Sequence, residues 1–177
     1  MSNKKILMIV AYKDFRDEEY FIPLEIFQKA GIEIATASSK IGVALGVLGG
    51  EAEVFLSIKN VRVEDFDAVV FVGGGGAQKY FENEEAHRIV REFNDAKKVV
   101  GAICIAPVIL AKAGILEGKT ATVWSNAMDK TGPKALLQGK CAVSQNAVEK
   151  SGNIITANGR EASEEFAREI VNEIKNR

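Results

Sequence analysis

The chain has 177 residues, a length that suits one domain able to bury a full core. Apolar residues make up 47% and charged residues 27%, an ordinary globular composition. With 23 basic against 24 acidic side chains the formal net charge is −1, so no basic field favours nucleic acid or anionic lipid.

The chain opens Met1-Ser2-Asn3-Lys4-Lys5 and runs into apolar residues 6–11. A signal peptide can begin this way, but Tyr12-Lys13-Asp14-Phe15-Arg16 stands where a small-residue cleavage site belongs. The run is therefore read as a first β-strand and the protein as cytoplasmic. No apolar run approaches the ~20 residues needed to span a bilayer, and no membrane partner is expected. Next, Ile22, Ile26, Phe27 and Ala30 are assigned to the inner face of a first helix, closed by Gly31. Residues 32–37 are a short strand candidate. In residues 43–56, Gly46, Gly49 and Gly50 interrupt β-type side chains, which predicts a small hairpin at a sheet edge.

Residues 6–10, 68–72 and 99–103 are apolar throughout, the pattern of parallel strands buried on both faces. Between the last two, Ala86, Ile89, Val90 and Phe93 follow helical spacing behind Asn83, a suitable N-cap. Pro107 can open and Gly114 close a helix carrying Val108 and Ala111. Residues 120–124 are another short strand candidate, and Phe166, Ile170 and Ile174 give a last amphipathic helix behind Ser163. Alternating strands and helices imply an α/β domain over residues 1–177, a parallel sheet covered on both faces.

Ligands of open α/β sheets bind beyond the carboxyl ends of the strands. Glu18 and Glu19, the run Gly73-Gly74-Gly75-Gly76, and Cys104 all fall at such ends. Cys104 stands in Gly101-Ala102-Ile103-Cys104-Ile105-Ala106-Pro107, where a strand turns sharply into a helix. That turn can hold a nucleophile at a helix N-terminus, which should lower the thiol pKa below the free value of about 8.5. Against this stands the ordinary place of free cysteine in cores. The glycine run lacks G-x-G-x-x-G spacing and a following Lys-Ser/Thr, so it is neither a dinucleotide site nor a P-loop. Its N–H groups, with that of Ile105, could form an oxyanion hole, or the run could be a plain turn. Pro23 frees the carbonyl of Glu19 four residues back, which either shapes the backbone around a functional glutamate or accompanies one that merely complements the helix dipole. Glu18 is the alternative to Glu19. Cys104 and Cys141 show neither disulfide nor zinc spacing, and no metal is expected.

Glu19 before Pro23, the glycine turn after Val72, and Ala102-Ile103-Cys104 with Pro107 together resemble the DJ-1/ThiJ/PfpI superfamily, which has a class I glutamine amidotransferase-like fold. Gly152-Asn153-Ile154-Ile155-Thr156 with Gly159, and Glu165-Phe166-Ala167, extend the likeness over nearly the whole chain. The resemblance implies a flavodoxin-like, doubly wound sheet with Cys104 as nucleophile and Glu19 as the acid bonded to its sulfur. Gly75 and Ile105 would supply oxyanion N–H groups, with no cofactor, in a homodimer or larger assembly. PfpI-type peptidases carry histidine after the cysteine, where this chain has Ile105. Other branches carry a histidine after the next strand, where Trp124 stands. His87, the sole histidine, is expected on the surface of its helix. Arg160 replaces the second residue of a Gly-Pro pair and is read as a solvated loop arginine that could still face the cleft. Gly74 and Trp124 are further pocket candidates, and Cys141 is read as structural.

The expected function is cofactor-independent chemistry on a small reactive carbonyl, of glyoxalase or deglycase type, through Cys104 and Glu19. The alternatives are a redox-sensing or chaperone stress protein whose Cys104 oxidises to sulfinate, and third an intracellular cysteine peptidase.

Overall fold

The computed structural model describes residues 4–177. In chain order the strands and helices are β1 (Lys5–Ile9), β2 (Lys13–Phe15), α1 (Asp17–Lys29), β3 (Glu33–Ser38), β4 (Gly42–Gly46), β5 (Glu51–Val54), β6 (Leu56–Ser57), β7 (Ala68–Phe71), α2 (Glu84–Asp95), β8 (Val99–Ile103), α3 (Pro107–Ala113), β9 (Thr120–Ala121), α4 (Thr131–Gln138), β10 (Ala142–Val143), β11 (Val148–Ser151), β12 (Ile154–Ala157) and α5 (Ser163–Lys175). The main sheet has seven strands in the order β11-β12-β8-β7-β1-β3-β6, and only β11 runs antiparallel to its neighbour. Renumbered along the chain, its long parallel strands follow 2-1-3-4-5, the flavodoxin-like order whose reversal lies between β1 and β7.

The reason these segments are strands is visible in their burial. Every residue of β7 and of β8 is buried, as are Ile6 to Ile9 of β1, so Val/Ile-rich runs without alternation fit a sheet covered on both sides. Helices α1 and α5 pack on each other, as do α2 and α3. Gly101 makes the α5 contact on β8 possible: a Cβ there would lie 2.9 Å from Cδ1 of Ile170. Asn83 caps α2 by accepting the N–H of Ala86, and Gly114 ends α3 in the left-handed conformation.

Four expectations are corrected. The hairpin β4–β5 does form, but it joins β2 in a separate three-stranded sheet. Asp17 ties it there, its carboxylate accepting the N–H groups of Leu48 and Gly50. Of residues 120–124, only Thr120 and Ala121 are strand, and they pair with β10 outside the main sheet. The place beside β12 is taken by β11, and the N–H of Thr122 donates to the Thr156 hydroxyl instead of a ladder carbonyl. On α1, Phe27 is buried and Ile26 and Ala30 pack against the core as expected, but Ile22 is exposed, and Tyr20 and Pro23 are buried instead. Finally, His87 is buried, its Nε2 bonded to the carbonyl oxygen of Phe81. Among the described residues, no helix is long and apolar enough to cross a membrane.

Candidate active site

The site grows from three strand ends beside the topological reversal. At the first, β8 stops at Ile103 and Cys104 turns the chain with φ 63°, a left-handed conformation rare for any residue with a side chain. Holding it costs on the order of 1–3 kcal/mol, which the surrounding bonds must offset. The Cys104 N–H donates to the Ala157 carbonyl (2.9 Å), and its own carbonyl accepts the N–H of Trp124 (2.8 Å). The chain then enters α3 through Pro107, whose fixed φ suits a first turn. The sulfur is thereby raised out of the sheet, half-buried, above the strand ends.

The second strand end brings Glu19. It lies in the first turn of α1 and is 1% exposed. Its carboxyl meets the Cys104 sulfur and the Gly73 backbone, while Oε2 is buried with no hydrogen-bond partner. Burial pushes its pKa up to about 7, against the pull of those contacts. Glu18 faces another way. Despite some desolvation, its own backbone N–H and the Arg16 guanidinium hold its carboxyl below the ordinary value. Arg16 grips it with Nε and Nη2 at 2.9 and 3.2 Å.

The thiol does not follow the expectation from a helix N-terminus alone. Burial and then the neighbouring Glu19 push Cys104 up to about 12, although backbone N–H groups of Gly74 and Ile105 pull the other way. The two groups titrate as a pair. With Glu19 raised to about 7 and Cys104 to about 12, the pair keeps at least one proton across neutral pH. The two N–H groups aimed at the sulfur oppose its upward shift without overcoming it, so the sulfur keeps its proton at rest and thiolate forms as that proton passes to Glu19.

The third strand end is the glycine turn after β7. A Cβ on Gly73 would come within 2.4 Å of Glu19 Oε2 and 2.6 Å of Cys104 Cβ. Gly74 has φ 99°, and a Cβ there would press on the Arg16 backbone at 2.5 Å. The Gly73 carbonyl accepts the Arg16 N–H at 3.0 Å, which locks this turn to the start of α1. Gly73 carries no side chain because the acid and the sulfur occupy its place.

These ends open on a cavity of about 480 Å³, a size suited to a small molecule. Cys104, Glu19, Gly74, Gly75, Ile105, Trp124 and Arg160 all line it. The glycine whose backbone reaches the sulfur is Gly74, with Gly75 one residue further along the wall. Arg160 is half exposed to solvent and also lines the cavity, as its reading as a solvated loop arginine that could face the cleft allows, and it bonds Glu161 at 2.9 Å. Sequence reasoning missed Arg16, Gln78, Asp129 and Glu161 in the lining. For Arg16 a signal existed: it stands at the N-cap of α1, three residues before Glu19.

A flavodoxin-like sheet with a cysteine on a strained turn and a buried glutamate against its sulfur defines the class of protein. The model of the DJ-1/PfpI family matches residues 4–173, and the chain belongs to that family. It is 38% identical to an uncharacterized protein of Methanocaldococcus jannaschii, over 99% of this chain and 84% of that one. It is 34% identical to the deglycase PfpI of Pyrococcus furiosus, over 71% of this chain and 75% of the relative. Among solved structures, a ThiJ/PfpI domain protein from Brachyspira murdochii superposes with a TM-score of 0.94 at 33% identity, covering 100% and 99% of the two chains.

Proposed function

We propose that the protein is a cofactor-independent thiol enzyme acting on small reactive carbonyls, in the glyoxalase or deglycase manner. The observation that carries this reading is the buried pair: a carboxyl whose pKa burial raises to about 7, set against a cysteine on a strained turn. On a 2-oxoaldehyde such as methylglyoxal, the thiolate sulfur adds to the aldehyde carbon. The C=O π pair moves to oxygen, which takes the proton held by Glu19. The Glu19 carboxylate then removes the C1 hydrogen as a proton to leave an enediolate, Glu19 returns that proton to C2, and the C1 hydroxyl proton passes to the C2 oxygen. The resulting thioester is hydrolysed by water, releasing lactate and the thiol. No electrons enter or leave, so no redox partner is needed.

The relative named a deglycase supports the chemical class. Peptide hydrolysis suits the cavity less well. Its lining has Ile105 and Trp124 where an imidazole would serve, and the sole histidine, His87, is held by Phe81 on α2. A sulfinate sensor is the second reading, favoured by the same carboxyl and by the N–H groups of Gly74 and Ile105 facing the sulfur. We also infer self-association, because Phe21, Ile22, Val43, Leu45, Val47 and Leu48 are exposed apolar residues concentrated on α1 and the hairpin. Light scattering tests it, and a monomer at all concentrations would end it.

The deciding experiment follows lactate from methylglyoxal, with casein hydrolysis in parallel. Lactate formation lost in Cys104→Ser supports the enzyme. Inactivity toward methylglyoxal, with ready sulfinate formation in dilute peroxide, selects the sensor, and Cys104-dependent casein hydrolysis selects the peptidase.

A further inference from the structure

Two guanidinium groups share the cavity with the sulfur, and the carbonyl chemistry above uses neither. Arg16 spends Nε and Nη2 on Glu18, which leaves Nη1 without an acceptor among the described residues. Arg160 spends Nε on its sequence neighbour Glu161, so both of its terminal nitrogens lack acceptors among the described residues. The two arginines act on one locus. Both electrostatically favour ionised Glu18, and Arg160 also feels the charge of Glu19. The acids on the same wall are already engaged or exposed. The Asp129 carboxylate accepts the N–H of Thr131 at 2.9 Å, and Glu161 is 80% exposed. Guanidinium donors that converge on a cavity and lack acceptors are what a carboxylate or phosphate group requires.

We propose that Arg16 and Arg160 form an anion subsite beside Cys104, so that the preferred carbonyl substrates carry a carboxylate or phosphate close to the reacting carbon. The inference rests on Cys104 being the reacting group, but it does not depend on turnover. A compound such as glyoxylate would seat its carboxylate on the guanidinium donors and its aldehyde carbon against the sulfur. The Sγ–C bond forms, the C=O π pair becomes an alkoxide, and the alkoxide takes the proton from Glu19. Glyoxylate has no ketone carbon to receive the C1 hydrogen, so the hemithioacetal reverts by the same path. Anionic aldehydes of this kind are therefore reversible occupants, while anionic 2-oxoaldehydes go on to product.

The test compares two alkylating agents that differ in charge. Iodoacetate and iodoacetamide react with Cys104 by the same displacement, and a free low-molecular-weight thiol at the same pH gives the reference ratio of their rates. The ratio at Cys104, read by peptide mass mapping, should exceed the reference about tenfold, the contribution of roughly one charge-assisted hydrogen bond. Arg16→Gln with Arg160→Gln should return it to the reference. Arg168→Gln, which removes the same charge from α5, should leave it raised. Glyoxylate and glycolaldehyde phosphate should each be tried as protectants, with neutral glycolaldehyde as the comparison. Better protection by either anion supports the subsite and shows which acidic group it prefers. A ratio equal to the reference, or one that the double variant does not lower, overturns the subsite and leaves the methylglyoxal reading standing. Labelling of Cys104 no faster than Cys141 overturns both together.

Discussion

Cys104 and Cys141 each lie at a change of direction in the chain, and both are raised by burial, but the groups around their sulfurs differ. Cys141 comes after α4, next to Lys140 at φ 55°, so the strain of that turn falls on its neighbour. It is 2% exposed, its N–H donates to the Leu136 carbonyl, and its sulfur points at the Ala142 carbonyl at 3.5 Å. Burial pushes its pKa up, and the only opposing contact is the Ala121 backbone. Cys104 carries the left-handed turn itself, faces a cavity and shares its proton with Glu19. Burial raises both thiols, so burial cannot be what separates a reactive cysteine from a packing one. A nearby acid that can take the proton, with N–H groups on the sulfur, makes the difference.

The largest effect expected from this contrast is at the sulfur. Cys104→Ser should lower lactate formation from methylglyoxal by roughly a thousandfold or more, since a hydroxyl at this position lacks the acidity to add. Next comes Glu19→Gln, which keeps the shape and loses the exchangeable proton. A loss of about 10²–10⁴ in kcat is expected, with Glu18→Gln costing at least roughly tenfold less on the same scale. A reversed order would place the catalytic acid one residue earlier.

The same substitution sharpens the comparison through stability. The Glu19 pKa rises from 4.5 to about 7 on folding, so the folded state holds its proton more tightly. Its stabilising contribution is complete below pH 4.5 and is lost as pH rises through about 7. Relative to Glu19→Gln, the wild type should therefore lose on the order of 3 kcal/mol between acid and mildly alkaline pH, as read from urea unfolding at each pH. A difference that stays flat with pH would mean that Glu19 is not buried against the sulfur. Smaller again is Gly73→Ala. Its Cβ would meet Glu19 Oε2 and the Ile103 carbonyl, the second of which is backbone and cannot move away. A loss of about 1–3 kcal/mol in stability is expected, together with lower turnover.

Much of this was legible in the sequence, for reasons that are local. Residues 6–10, 68–72 and 99–103 read as parallel strands because burial on both faces leaves no polar alternation. Cys104 and Glu19 stood out because each follows an apolar run and precedes a helix signal, Pro107 in one case and Pro23 in the other. What stayed hidden depends on contacts between distant segments. On α1 only Ile22 was wrongly placed inside, because Phe21 and Ile22 are apolar yet exposed and hydrophobicity alone could not mark the edge of the packed side. His87 was misplaced because helical spacing does not reveal that the carbonyl of Phe81 waits to accept its ring nitrogen. The upward shift of the Cys104 pKa could not be read from a turn motif, because its causes are depth and a glutamate on another element. Gly73 looked like one glycine among four, and only the folded chain shows it wedged between the acid and the sulfur.

The smallest effect is expected at the other cysteine. Cys141 packs in the core, so Cys141→Ala removes one buried sulfur and the contacts around it. The cost should be about 1 kcal/mol, visible as a modest fall in Tm. Its sulfur makes one weak bond to a carbonyl and touches neither the cavity nor Glu19. Lactate formation should therefore remain within about twofold of the wild type once the protein is folded. Iodoacetamide at neutral pH should modify Cys141 only after denaturant opens the core, whereas Cys104 is modified in the native state. Thermal unfolding, the lactate assay and peptide mapping on the same preparation separate these effects. If Cys141→Ala abolished turnover while leaving Tm unchanged, the second cysteine would belong to the chemistry, and the contrast between the two turns would no longer account for which thiol reacts.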